Sequence, residues 1–121
     1  MPKKILIAED EFFLAETIGL RLESLGYEVQ YAENGQEALT LMQAQRPDLV
    51  LMDCLMPVMD GFEAIRHMRL EPTLKTIPVI CLTALARPED RTKAEQAGAN
   101  DYMTKPFEMH ELAKKIEQCL L

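Results

Sequence analysis

Short apolar runs alternate five times with stretches in which apolar residues recur at helical spacing, and this rhythm constrains the chain more than any other feature. A strand that is apolar along its whole length must be covered on both faces, and the stretches between the runs are what can cover it. The expected class is therefore α/β, with a parallel sheet between two layers of helices. Strands are expected at residues 4–8, 28–32, 48–52, 79–83 and 101–104. The last is the least apolar and is expected at an edge.

Leu14, Ile18, Leu22 and Leu25 mark a first helix, which Gly26 closes because a left-handed residue commonly ends a helix. Asn34 followed by Glu37, and Asp60 followed by Glu63, have the spacing of side-chain caps. They open a second helix running to about Gln45 and a third running to about Arg69. Pro47, Pro72 and Pro78 punctuate the connections. Pro88 suits the first turn of a fourth helix, which Gly98 ends, and Leu112, Ile116 and Leu120 give a fifth helix one apolar face. No repeat, low-complexity tract or linker interrupts the pattern, so residues 1–121 are expected to form one domain without a separate effector. Met1 agrees with a natural N-terminus, whereas a domain excised just after the fifth helix would read the same at its other end.

Charge and cysteine usage narrow the function. A net charge of −7 with no run of Lys and Arg opposes the basic surface that nucleic acids require, so no direct nucleic-acid contact is expected. No apolar stretch approaches the roughly 18 to 20 residues of a membrane span, which leads to the expectation of a cytoplasmic protein. Cys54, Cys81 and Cys119 lack metal-ligand spacing and read as reduced, mostly buried thiols. His67 and His110 fall on separate helices and read as surface residues, while Met42, Met52, Met56 and Met68 read as core filler.

The chemistry emerges when polar residues are laid on this framework. Glu9 and Asp10 follow the first strand, Asp53 the third, Thr83 the fourth and Lys105 the fifth, all at strand carboxyl ends. Ligands of an open parallel sheet bind beyond those ends, where the strand order reverses, so these residues can converge. The second strand ends in Ala32 and Glu33 with no partner for such a site, which places it outside in the flavodoxin-like order 2-1-3-4-5. Three gathered carboxylates repel one another, and a divalent cation holds them ionised; Mg2+, with its preference for oxygen, is the expected cofactor. Lys105 and the Thr83 hydroxyl would then meet phosphoryl oxygens, giving a phosphoryl-transfer site with a carboxylate nucleophile.

At this point Ile-Leu-Ile-Ala-Glu-Asp-Glu, Leu-Met-Asp-Cys-Leu-Met-Pro-Val-Met-Asp-Gly, Leu-Thr-Ala and Tyr-Met-Thr-Lys-Pro-Phe resemble the signature blocks of response-regulator receiver domains across the whole chain. The resemblance implies that Asp53 accepts phosphate from a sensor histidine kinase or phosphotransfer protein. It also implies that Glu9, Asp10, Asp53 and the carbonyl of Leu55 hold the metal. Thr83 and Lys105 would contact the phosphoryl group, Thr83 and Tyr102 would form the switch, and Lys105–Pro106 would be a cis peptide. The expected output is a protein contact through the fourth helix, fifth strand and fifth helix. A phosphohydrolase is disfavoured because no acid stands two residues after Asp53. A non-phosphorylated module would lack Asp53, Thr83 or Lys105, and no Gly-rich loop after the first strand favours nucleotide or flavin.

Overall fold

The computed structural model describes residues 2–121. Strands and helices alternate throughout, as β1 (Lys4–Ala8), α1 (Phe12–Ser24), β2 (Glu28–Ala32), α2 (Gly35–Ala44) and β3 (Leu49–Met52), followed by α3 (Gly61–Leu70), β4 (Val79–Thr83), α4 (Pro88–Ala97), β5 (Asp101–Thr104) and α5 (Met109–Leu120). The strands form one parallel sheet in the order β2-β1-β3-β4-β5. This is the flavodoxin-like arrangement, with β2 and β5 at the edges.

The uniform apolarity of the inner strands follows from their two buried faces. In β1, Ile5 and Ile7 pack with Ile18 and Leu22 of α1 and with Leu112 and Ile116 of α5, whereas Leu6 and Ala8 point the other way into the cluster beneath α2, α3 and α4. The period-two alternation repeats in β3, where Leu49 and Leu51 join the first cluster and Val50 and Met52 the second. Met42, Met52 and Met68 are fully buried there. Among the described residues, no helix is long and apolar enough to cross a membrane.

Local chemistry sets the helix ends. Asn34 Oδ1 accepts the Glu37 amide at 2.8 Å and Asp60 Oδ1 accepts the Glu63 amide at 2.9 Å, each such cap contributing about 1 kcal/mol. Gly98 closes α4 at φ +118°. Two boundaries differ from the sequence reading. Asp48 precedes β3 because its carboxylate takes the Lys4 amide at 2.7 Å, while its own amide bonds the Lys4 carbonyl at 2.8 Å. Leu25 lies beyond α1 and is exposed, and the buried stripe runs through Ala15, Ile18, Gly19 and Leu22 instead. Gly19 belongs to it because a β-carbon there would overlap the Tyr31 hydroxyl.

Arg69, which the sequence marks only as a helix end, joins two connections, α3–β4 and α4–β5. Its guanidinium donates to the carbonyls of Gly98 at 3.0 Å, Lys75 at 3.0 Å and Ile77 at 2.7 Å, and to Asn100 Oδ1 at 3.0 Å. Asn100 Oδ1 in turn accepts the Val79 amide at 2.8 Å, so one side chain ties α3 to both ends of the β4–α4 unit. Arg69→Ala is expected to lower stability by about 2 kcal/mol, since it leaves the carbonyls of Gly98 and Ile77, both in part-buried bonds, short of a donor. Urea denaturation measures this, and a loss below about 0.5 kcal/mol, the range of ordinary surface changes, would show that water replaces the guanidinium.

Candidate functional site

Because β1 and β3 are neighbours with Ala8 paired to Met52, the residues that follow them emerge side by side. Glu9 and Asp53 are buried and Asp10 is exposed, and each offers a carboxylate oxygen within 4.8 Å of the others. The strand order reverses about β1 and β3, so the cluster sits where an open sheet leaves a crevice. A pocket of about 170 Å3 lined by Glu9, Asp10, Phe12, Tyr31 and Glu37 opens beside it. A larger groove of about 440 Å3 lies between α1 and α5, touching the site only at Lys105.

Lys105, just beyond β5, reaches across to the acids. Its Nζ donates to Asp53 Oδ2 at 3.0 Å and to Glu9 Oε1. The remaining oxygens take backbone amides, Leu55 to Asp53 Oδ1 at 3.0 Å and Glu11 to Glu9 Oε2 at 3.0 Å. Burial alone would lower the Lys105 pKa, but its bonds to Glu9 and Asp53 carry it upward. Burial pushes the Glu9 carboxyl up to about 7, against the pull of Lys105 and the Glu11 amide.

The donor set suits a hard cation. It offers carboxylate oxygens, no His or Cys belongs to the cluster, and the exposed Asp10 leaves one side open to the waters that Mg2+ retains. A divalent cation there would need ionised carboxylates, so it would compete with the proton that burial favours on Glu9. Affinity for Mg2+ is therefore expected to fall as pH drops through about 7, by up to about tenfold per unit, and to level off above it. Titration calorimetry between about pH 6 and 8 reads the slope, and a flat profile would mean that Glu9 is already ionised.

The fourth and fifth strand ends complete the arrangement. Thr83 is fully buried, its Oγ1 accepts the Leu85 amide at 3.2 Å, and its carbonyl accepts the Lys105 amide at 2.8 Å. Tyr102 is buried with Cys54, Cys81, Ala94 and Ala97, and its hydroxyl donates to the Leu85 carbonyl. The Lys105–Pro106 peptide is cis. Leu55 is half exposed beside Asp53. All three cysteines are free, and a hydrogen bond to Cys81, together with burial, raises the Cys54 pKa. His67 and His110 are exposed, on α3 and α5.

Sequence reasoning passed over Gly61, whose absent β-carbon would overlap the Asp53 carbonyl oxygen and stand 2.9 Å from Cys54 Cα. The signal was available, since glycine weakens a helix and its place at the start of α3 calls for a reason. Only without a side chain can α3 begin against the strand that carries Asp53.

Comparison with known proteins places the chain in a family. The family model described as the response regulator receiver domain matches residues 5–117. A protein of Cyanophora paradoxa named "Probable transcriptional regulator ycf27" is 42% identical over 118 residues, covering 98% of this chain and 48% of its own length. The chain thus spans about half the length of that relative. Among solved structures, the signal receiver domain of a signal transduction histidine kinase from Syntrophus aciditrophicus is 41% identical, with a TM-score of 0.91 over 98% of this chain and 89% of its own. The receiver domain of the sensor histidine kinase PA1611 from Pseudomonas aeruginosa is 38% identical, with a TM-score of 0.91 over 99% and 98%. That structure has a magnesium ion coordinated in its active-site cleft.

Proposed function

Because the chain belongs to the response regulator receiver domain family, we propose that residues 1–121 act as a phosphorylation switch in which Asp53 takes a phosphoryl group from a phosphohistidine of a sensor histidine kinase or phosphotransfer protein. The observation that carries this reading is Lys105 bonded to Asp53, with Glu9 and Asp10 gathered beside it at the carboxyl ends of a parallel sheet. Glu9, Asp10, Asp53 and the Leu55 carbonyl would hold Mg2+, which when bound offsets negative charge on the transferring group. Asp53 is the nucleophile. Lys105, held at Asp53 Oδ2, takes one phosphoryl oxygen by charge and the Thr83 hydroxyl takes another by hydrogen bond. Phosphate adds roughly −1.5 to −2 charges, favouring arrangements in which these two groups reach it. The Tyr102 hydroxyl donates to the carbonyl of Leu85, two residues beyond Thr83, and its ring packs with Ala94 and Ala97 of α4, which supports the surface of α4, β5 and α5 as the protein-binding output.

The test is chemical mapping after incubation with acetyl phosphate and Mg2+. Borohydride converts an aspartyl phosphate to homoserine, and that residue is expected at position 53. Homoserine elsewhere, or none, would contradict the assignment.

Two leucines bear on how long the phosphate stays. Leu55 and Leu85 stand two residues beyond Asp53 and Thr83, and neither can orient or deprotonate a water aimed at the phosphorus. The phosphorylated state is expected to be long-lived, with Leu55→Asn and Leu85→Glu each losing phosphate faster, by up to the ~100-fold that a positioned polar group contributes. Dephosphorylation rates in one magnesium buffer decide it. If both variants are as slow as wild type, these side chains do not set the lifetime.

A further inference from the structure

Between Asp53 and α3 the chain turns through a segment that is strained at one residue and held from outside at the next. Val58 has φ +69° at the centre of a γ-turn, in which the Met59 amide donates to the Pro57 carbonyl at 2.7 Å, a strained turn that a β-branched residue tolerates especially poorly. Its side chain is 83% exposed, so burial does nothing to offset the strain. Met59, immediately after it, accepts the Gly35 amide at 2.9 Å through its carbonyl, which ties the segment to the first residue of α2. Gly35 permits this approach, because a β-carbon there would stand 2.7 Å from the Met59 carbonyl oxygen and 3.0 Å from Ala64 Cβ. Strain of this kind persists only where the surroundings impose it.

We propose that Val58 and the Gly35–Met59 bond act in opposition as positioning residues for the Asp53 loop, the strain favouring release of the loop and the bond favouring its latched form. The inference rests on Asp53 and Leu55 serving Mg2+, since residues 53–59 are then one continuous piece of backbone between the metal and the latch. Binding that requires the latched loop is weakened by the fraction of molecules in which it is released. Relieving the strain should therefore tighten metal binding, and breaking the latch should weaken it. A residue that merely stabilised the fold would shift the melting temperature without shifting the metal affinity.

The test uses Mg2+ alone, with calorimetric affinity and thermal midpoint read separately on the full chain. Val58→Asn keeps a side chain but tolerates positive φ better than a β-branched residue does, and it should raise both the midpoint and the affinity, the latter by about threefold, within the roughly tenfold that such strain can supply. Gly35→Ala is a better helix former but crowds the Met59 carbonyl, and it should lower the affinity by a similar factor. The proposal is overturned if Val58→Asn raises the midpoint while leaving Mg2+ affinity unchanged, or if Gly35→Ala binds Mg2+ as wild type does. Absence of Mg2+ binding by the wild type would instead remove the metal reading itself.

Discussion

Asp10→Ala is expected to weaken Mg2+ binding by about a hundredfold and to abolish phosphorylation of Asp53 by acetyl phosphate. The reason lies in which acids are free. Glu9 and Asp53 are buried, both bonded to Lys105 and each bonded to a backbone amide, whereas Asp10 stands exposed beside them. If these acids hold the metal as proposed, removing Asp10 takes away the most available oxygen and leaves the other two bonded to the lysine. Phosphoryl transfer gathers still more negative charge at the same point, which Lys105 alone cannot balance. EDTA on the wild type should reproduce the effect. Phosphate uptake that persists in EDTA would mean that the acids serve something other than a metal.

Gly61→Ala is expected to lower stability by about 2 to 3 kcal/mol and to impair metal binding as well. In an exposed helix the same change would stabilise by up to about 1 kcal/mol, because glycine is the poorer helix former. Here the atoms met by the new methyl group are backbone, the Asp53 carbonyl and Cys54 Cα, and backbone cannot turn aside as a flexible side chain would. Either α3 moves off the sheet or the Asp53 loop moves, and the amide of Gly61, which bonds the Cys54 carbonyl at 3.1 Å, moves with it. Steric overlap therefore outweighs helix propensity. A variant as stable as the wild type in urea, with normal Mg2+ affinity, would show that the contact relaxes freely.

Much of the architecture was legible because its causes are local. Uniformly apolar strands announce a sheet covered on both sides, the caps at Asn34 and Asp60 use side chains three residues from their partners, and Pro88 and Gly98 bracket α4 through their own backbone preferences. The acidic cluster was legible for a topological reason, since parallel strands deliver all their carboxyl ends to one edge of the sheet. What the sequence could not display depends on partners far along the chain. Arg69 resembles any basic residue at a helix end until Lys75, Ile77, Gly98 and Asn100 are brought round it. Lys105 could be placed near the acids from its strand end, but its bond to Glu9 spans 96 residues and had no local sign. Val58 carries no sign of its positive-φ backbone, because valine is a residue that ordinarily avoids it.

Whether Asp53 is the phosphoacceptor of a magnesium-dependent site is decided by the intact mass of two proteins. Wild type and Asp53→Asn, which keeps the shape of the side chain and removes its charge, are each incubated with acetyl phosphate and Mg2+ and weighed without further treatment. A single phosphate adduct is expected on the wild type, none in EDTA, and none on Asp53→Asn. An adduct of equal yield on both proteins would place the phosphate elsewhere and contradict the assignment of Asp53.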